Sequence, residues 1–125
     1  MKVVIYDNNI ESAANLAMLI QQMIQGSTVK YIEHINDPEI SECSIVVADP
    51  NPDLTSEWLF NFRRINGQIP LILISQNSDL LRGSLTDKCF AIYKPYNIRE
   101  LLEVIVIAGS GKKLQGMDSS RRNWQ

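Results

Sequence analysis

Apolar residues fall along this chain in two alternating rhythms. Short runs with little polar interruption stand at Lys2–Tyr6 (KVVIY), Ser44–Ala48 (SIVVA), Pro70–Ile74 (PLILI) and Phe90–Tyr93, with a weaker one at Thr28–Ile32. Runs of this length, rich in β-branched residues and lacking polar alternation, predict strands covered on both faces. Between them the apolar spacing changes to three and four. Ile10, Ala13, Ala14, Ala17, Ile20 and Ile24 predict an amphipathic helix of about four turns stopped by Gly26. Asp53 or Thr55 can cap a helix that carries Trp58, Leu59, Phe62 and Ile65 inward and ends near Gly67, while Pro50 and Pro52 prevent regular structure before it. Asn97-Ile98-Arg99-Glu100 resembles a capping box and opens a last helix through about Ile107. Only eleven residues separate Ile32 from Ser44, so the helix started by Asp37-Pro38 must be stunted. Ser78–Lys88 forms at most a short helix, weakened by Gly83.

Strands alternating with helices imply an α/β domain: a doubly wound parallel sheet with right-handed crossovers and helices on both faces. Five such units fill residues 1–108 and leave 109–125 (GSGKKLQGMDSSRRNWQ) as a flexible tail or linker. The Gly-Ser-Gly-Lys there is no phosphate loop, because Val106 and Lys113 occupy the places of its first glycine and its hydroxyl. Twelve Lys+Arg against fourteen Asp+Glu argue against a nucleic-acid binder. No apolar run approaches the ~20 residues of a membrane span, and the start is no signal peptide. Two cysteines without a metal or redox spacing fit a reducing, cytoplasmic location. The single histidine, His34, leaves little material for hydrolytic chemistry, and no catalytic set emerges that would make the chain an enzyme.

In an open parallel sheet, ligands bind beyond the carboxyl ends of the strands. Those ends hold Asp7 and Asn8, then Asp49, Ser75 and Lys94. Each alone is an ordinary cap or turn residue. Together they form a chemical set: carboxylates for a divalent cation, a hydroxyl and an ammonium for phosphoryl oxygens.

With these residues the chain resembles the receiver domain of bacterial two-component response regulators, over residues 1 to about 108. The resemblance rests on the strand-then-acid at Ser44–Asp49, the Pro-strand-Ser of PLILIS and, most specifically, the Lys-Pro of IYKPY. It implies a flavodoxin-like fold of five parallel strands in the order 2-1-3-4-5. It also implies Asp49 as phosphoacceptor, Ser75 and Lys94 as the phosphate-contacting switch pair, and a magnesium site of Asp7, Asn8, Asp49 and Asn51. In that order one strand separates Cys43 from Cys89, about 10 Å, too far to bridge. The chemistry implied is attack of an Asp49 oxygen on the phosphorus of a phosphohistidine, the N–P bond breaking as the O–P bond forms, while magnesium offsets the negative charge. Lys94 is expected to pair with Asp49 even without phosphate.

Four departures surround that core. Asn8 stands where the family has a second acid, so magnesium is expected to bind weakly; a one-residue shift would instead make Tyr6 the missing acid and Asp7 the second. Pro50 removes a backbone donor beside the acceptor, Gln76 is large beside the switch Ser, and Ala91, with Phe90 next to it, occupies the place of the family's aromatic switch. Two readings follow. One is a divergent receiver that acts through protein–protein contact, with phosphorylation control weakened or absent. The alternative is a phosphorylation-controlled receiver charged on Asp49 by a histidine kinase. A flavodoxin-type electron carrier and a haloacid-type phosphatase are disfavoured by Asp7 and by Asn9. The partner is expected to be a histidine kinase or another signalling protein, or a second copy. The expected contact surface is Leu80, Leu81, Tyr93, Val104 and Ile107. Val104 and Ile107 lie within about 40° of Glu100 on the helical wheel, which places them on the solvent side and makes Val104→Glu harmless to the fold.

Overall fold

A computed structural model describes residues 1–50, 55–75, 83–86 and 88–111. In chain order they form β1 (Lys2–Asp7), α1 (Ile10–Met23), β2 (Thr28–Ile32), a 3-10 turn (Pro38–Glu42), β3 (Ile45–Asp49), α2 (Thr55–Asn66), β4 (Leu71–Ser75), β5 (Gly83–Thr86), β6 (Cys89–Tyr93) and α3 (Ile98–Gly109). The apolar runs become strands because both of their faces are covered. β3 and β4 are buried at every position, whereas β2, at the sheet edge, buries only Ile32.

β2, β1, β3, β4 and β6 are parallel neighbours in that spatial order, which is 2-1-3-4-5 when the parallel strands alone are counted. The arrangement is flavodoxin-like. One strand was not foreseen: β5 runs antiparallel to β6 at the outer edge, where the sequence suggested at most a short helix over Ser78–Lys88. Residues 78–82 and 87 of that stretch lie outside the described residues. Gly83 and Thr86 are poor helix formers. Only two residues separate β5 from β6, a spacing that suits a hairpin and extends the sheet beyond its last parallel strand.

The sheet separates two apolar clusters. On one face α1 and α3 pack over Val3, Ile5, Ile45, Val47, Ile72, Ile74, Phe90 and Ile92. On the other, α2 and the 3-10 turn cover Val4, Val46, Ala48, Leu71, Leu73 and Ala91 with Trp58, Phe62 and Ile40. The Trp58 and Phe62 rings stack 5.1 Å apart. Arg63 ties the end of α2 to the sheet, donating from Nη1 to the Gly67 and Ile69 carbonyls and from Nη2 to the Lys88 carbonyl. Gly67 closes the helix at φ +66, its N–H donating to the Arg63 carbonyl, a conformation in which a Cβ would be strained.

Three helix faces differ from the periodicity reading. In α1 the inward stripe is Ala13, Leu16, Ile20 and the flanking Ile24; Ile10 is 63% exposed and Ala14 lies outside. In α2 Ile65 is 44% exposed and does not face inward. In α3 Val104 is completely buried, together with Leu101, Ile105 and Ala108. Glu100, the residue that marked the solvent side on the wheel, is itself buried at 6% exposure. Val104 is therefore not part of an exposed contact surface, and Val104→Glu is not harmless to the fold. Ile107 is half-buried against the α1–α3 cluster, Tyr93 packs on the opposite face of the sheet, and Leu80 and Leu81 lie outside the described residues. Cys43 and Cys89 are free thiols, separated by β4.

Candidate functional site

The register of the sheet assembles the site. Asp7 and Asp49 are directly paired across β1 and β3, which brings two carboxylates to one level at the carboxyl ends. By the two-residue pleat, Asp7 shares the side of Val3 and Ile5, Asp49 that of Ile45 and Val47, and Lys94 that of Phe90 and Ile92. Ser75 instead shares parity with Leu71 and Leu73 of the other cluster.

Local hydrogen bonds fix each residue. The Asn8 N–H donates to the Asp49 carbonyl at 3.2 Å, closing the β1–β3 ladder. Asp7 Oδ1 accepts from the Asn9 N–H at 2.8 Å, and Asn9 Oδ1 accepts from the amides of Glu11 and Ser12, so the Asp-Asn-Asn run turns the chain and caps α1. Tyr31 donates its hydroxyl to the Asp7 carbonyl at 3.3 Å. Across the site the Lys94 ammonium pairs with Asp49 Oδ2. The Lys94 N–H donates to the Ser75 carbonyl at 2.9 Å, so the Lys-Pro loop is moored to the end of β4. The structure thus brings Asp7, Asp49 and Lys94 together, with Ser75, 2% exposed, joined to them through its backbone. Asn8 is exposed, and Asn51 lies outside the described residues.

Burial governs the electrostatics. Asp49, 7% exposed, has its carboxyl pushed above the ordinary range by desolvation, with Lys94 pulling the other way. Asp7 is pushed up chiefly by burial and further by Asp49, against the Asn9 amide and Lys94. Two desolvated carboxylates facing one ammonium leave a surplus of negative charge, which suits a cation with oxygen preference. Among the described residues no group of three or more His, Cys, Asp or Glu is placed to hold a metal. Of the residues expected to hold magnesium, the described ones offer only Asp7 and Asp49 as anionic donors, and Lys94 already pairs with Asp49.

Two aromatic residues of the site went unread in the sequence. Tyr31 comes from the edge strand, and nothing local marks it. Tyr96 immediately follows the Lys-Pro pair; it lines, with Ser12, Asn15, Leu16 and Leu19, a cleft beside α1. An aromatic next to Lys-Pro was the available signal. No protein-family model, curated protein or solved structure matches the chain.

Proposed function

We infer that the chain is a divergent receiver-like module of two-component signalling, acting through contact with a signalling protein and with phosphorylation control weakened or lost. The observation that carries this reading is the meeting of Asp7, Asp49 and Lys94 at the carboxyl ends of a sheet ordered 2-1-3-4-5, in a site one carboxylate short. Lys94 pairs with Asp49 Oδ2, the ion pair expected of the receiver set without phosphate. Pro50, buried directly after Asp49, offers no N–H to a phosphoryl oxygen. Phe90 is completely buried in the α1–α3 cluster and Ala91 has no ring to swing, so neither residue supplies the family's aromatic switch. A strand also occupies residues 83–86, within the connection that leads into that last parallel strand. Among the described residues no helix is long and apolar enough to cross a membrane.

A bound magnesium ion would supply charge neutralisation at the Asp49 oxygens, and this chain's own residues do the rest. Asp7 and Asp49 present the anionic donors, Lys94 holds Asp49 in place, and the Asn9 amide fixes Asp7. Asn8→Asp restores the missing charge and is expected to tighten magnesium about tenfold or more from a roughly millimolar starting point. Amide chemical shifts of residues 7–9 during a magnesium titration measure this; equal affinities in the two proteins would remove position 8 from the site.

Intact mass after incubation with acetyl phosphate and magnesium separates the two classes of function. The expected result is little or no phosphoryl adduct on the wild type. A stoichiometric adduct that vanishes in Asp49→Asn would establish the phosphorylation-controlled receiver instead.

A further inference from the structure

The two edges of the sheet end differently. β5 covers the outer side of β6, whereas β2 has β1 on one side and, among the described residues, no strand on the other. The Thr28 N–H donates to the Met1 carbonyl at 2.8 Å, which sets the phase of the β1–β2 ladder and turns the N–H and C=O groups of Val29 and Tyr31 outward. Beside this open edge α1 presents Ile10, Ala14 and Met18, four residues apart on one stripe and all exposed. The opposite flank of α1 carries the cleft residues Ser12 and Leu19 and faces Tyr96. Since α3 packs over β3 and β4 and α1 over β1 and β2, the exposed stripe lies toward the β2 edge, where Val29 is half-buried and Tyr31 is 36% exposed. The flank is apolar with an acidic border: Glu11 and Glu33 are exposed there, and α1 contains no basic residue.

The end of α3 stands at the same corner. Gly109 lies so close to Met1 that a Cβ there would stand 2.8 Å from the Met1 sulfur, and Met1 in turn holds Thr28, the first residue of β2. The described residues end two positions later, at Gly111. Residues 112–125 carry four basic side chains and one acid, a charge of +3 in a chain whose net charge is −2, so residues 1–111 carry −5. Their basic pairs, Lys112-Lys113 and Arg121-Arg122, bracket Leu114 and Met117, and Trp124 follows. We propose that residues 112–125 fold back onto the flank made by α1 and the open edge of β2, the basic pairs meeting Glu11 and Glu33 and the apolar side chains covering Ile10, Ala14 and Met18. Reach is ample: Met18 to Ile10 is about 12 Å along a helix, and fourteen extended residues span up to about 45 Å. A second copy of the flank is the poorer occupant, because it sets acids against acids. The strap closes an edge that otherwise accepts a strand from another chain, and it does so whatever happens at Asp49.

Nuclear Overhauser contacts in the full chain test the strap, in wild type, in Met18→Lys and in the double variant Arg121→Glu/Arg122→Glu. Wild type is expected to show contacts from Leu114, Met117 or Trp124 to the Ile10 and Met18 side chains. Both variants should lose the contacts to Ile10, and the Val29 and Tyr31 amide resonances should shift in the same direction in both, since each variant uncovers the same edge. Absence of these contacts in wild type overturns the proposal, as does their survival in both variants. A mixture of isotope-labelled and unlabelled chains identifies the source: contacts that arise only between different chains place the tail on a second copy and overturn the fold-back. If Met18→Lys does not fold, the tail double variant decides alone, because it alters no residue of the sheet or its helices. Phosphoryl transfer to Asp49 enters none of these readouts, so the strap and the receiver-like reading stand or fall separately.

Discussion

Replacing Val104 by Glu is expected to cost the domain about 4 kcal/mol or more, enough to unfold a large share of it at room temperature. Val104 is completely buried on the inward face of α3, in a cluster that includes Leu101, Ile105 and residues of α1 and the sheet. The substitution removes apolar packing and forces a carboxylate either into a site without water or out through a displaced helix; burying an unpaired charge is among the few single changes with so large a cost. Val106 supplies the control. It is 45% exposed two residues away, and Val106→Glu should stay within about 0.5 kcal/mol of wild type. Urea unfolding of the three proteins followed by far-ultraviolet circular dichroism checks both values. A Val104→Glu protein as stable as wild type would mean that α3 is rolled about its axis relative to the packing described above.

The second large effect belongs to Lys94→Ala, expected to destabilise the domain by about 2–3 kcal/mol at neutral pH, toward the lower end of what breaking a buried ion pair costs because Lys94 remains 32% exposed. Removing the ammonium leaves Asp7 and Asp49 facing each other uncompensated, and both carboxyls should rise beyond the values that burial already imposes. The sign of the pH dependence follows. A carboxyl raised in the folded state holds more protons there than in the unfolded chain, so stability falls as pH climbs from the ordinary carboxylate range through the raised folded value, then levels off. In Lys94→Ala that fall should be deeper and extend to higher pH. Below the ordinary range, where both acids are neutral in either state, the electrostatic part of the substitution's cost should largely disappear. Denaturation at several pH values, with carboxyl carbon shifts for the two acids, measures this; a pH-independent difference from wild type would separate Lys94 from the pair.

How far the fold and the site were legible depended on the distance over which each signal acts. The parallel strands were written in uninterrupted β-branched runs, and α1, α2 and α3 in their spacing and caps, because burial on both faces and satisfaction of helix ends are requirements that act within a few residues. Asp7, Asp49, Ser75 and Lys94 were readable for a related reason: each follows a strand directly, so an α/β alternation alone brings them to one end of the sheet. What lay beyond reach was anything set by the neighbour across the gap. Which side of α3 met the sheet could not be taken from Glu100, since an acid marks solvent only when nothing else covers it, and here the protein does. Gly83–Thr86 is too short to declare itself a strand; it becomes one by pairing with β6. Tyr96 and Tyr31 entered the site through a loop and an edge strand that only the assembled sheet brings beside Asp7. The sequence by itself determined the parallel architecture and the residues at its carboxyl ends, through local pattern. The tertiary structure alone decided helix rotation, the added edge strand and the approach of Tyr31 to Asp7, because each is a contact between segments far apart in the chain.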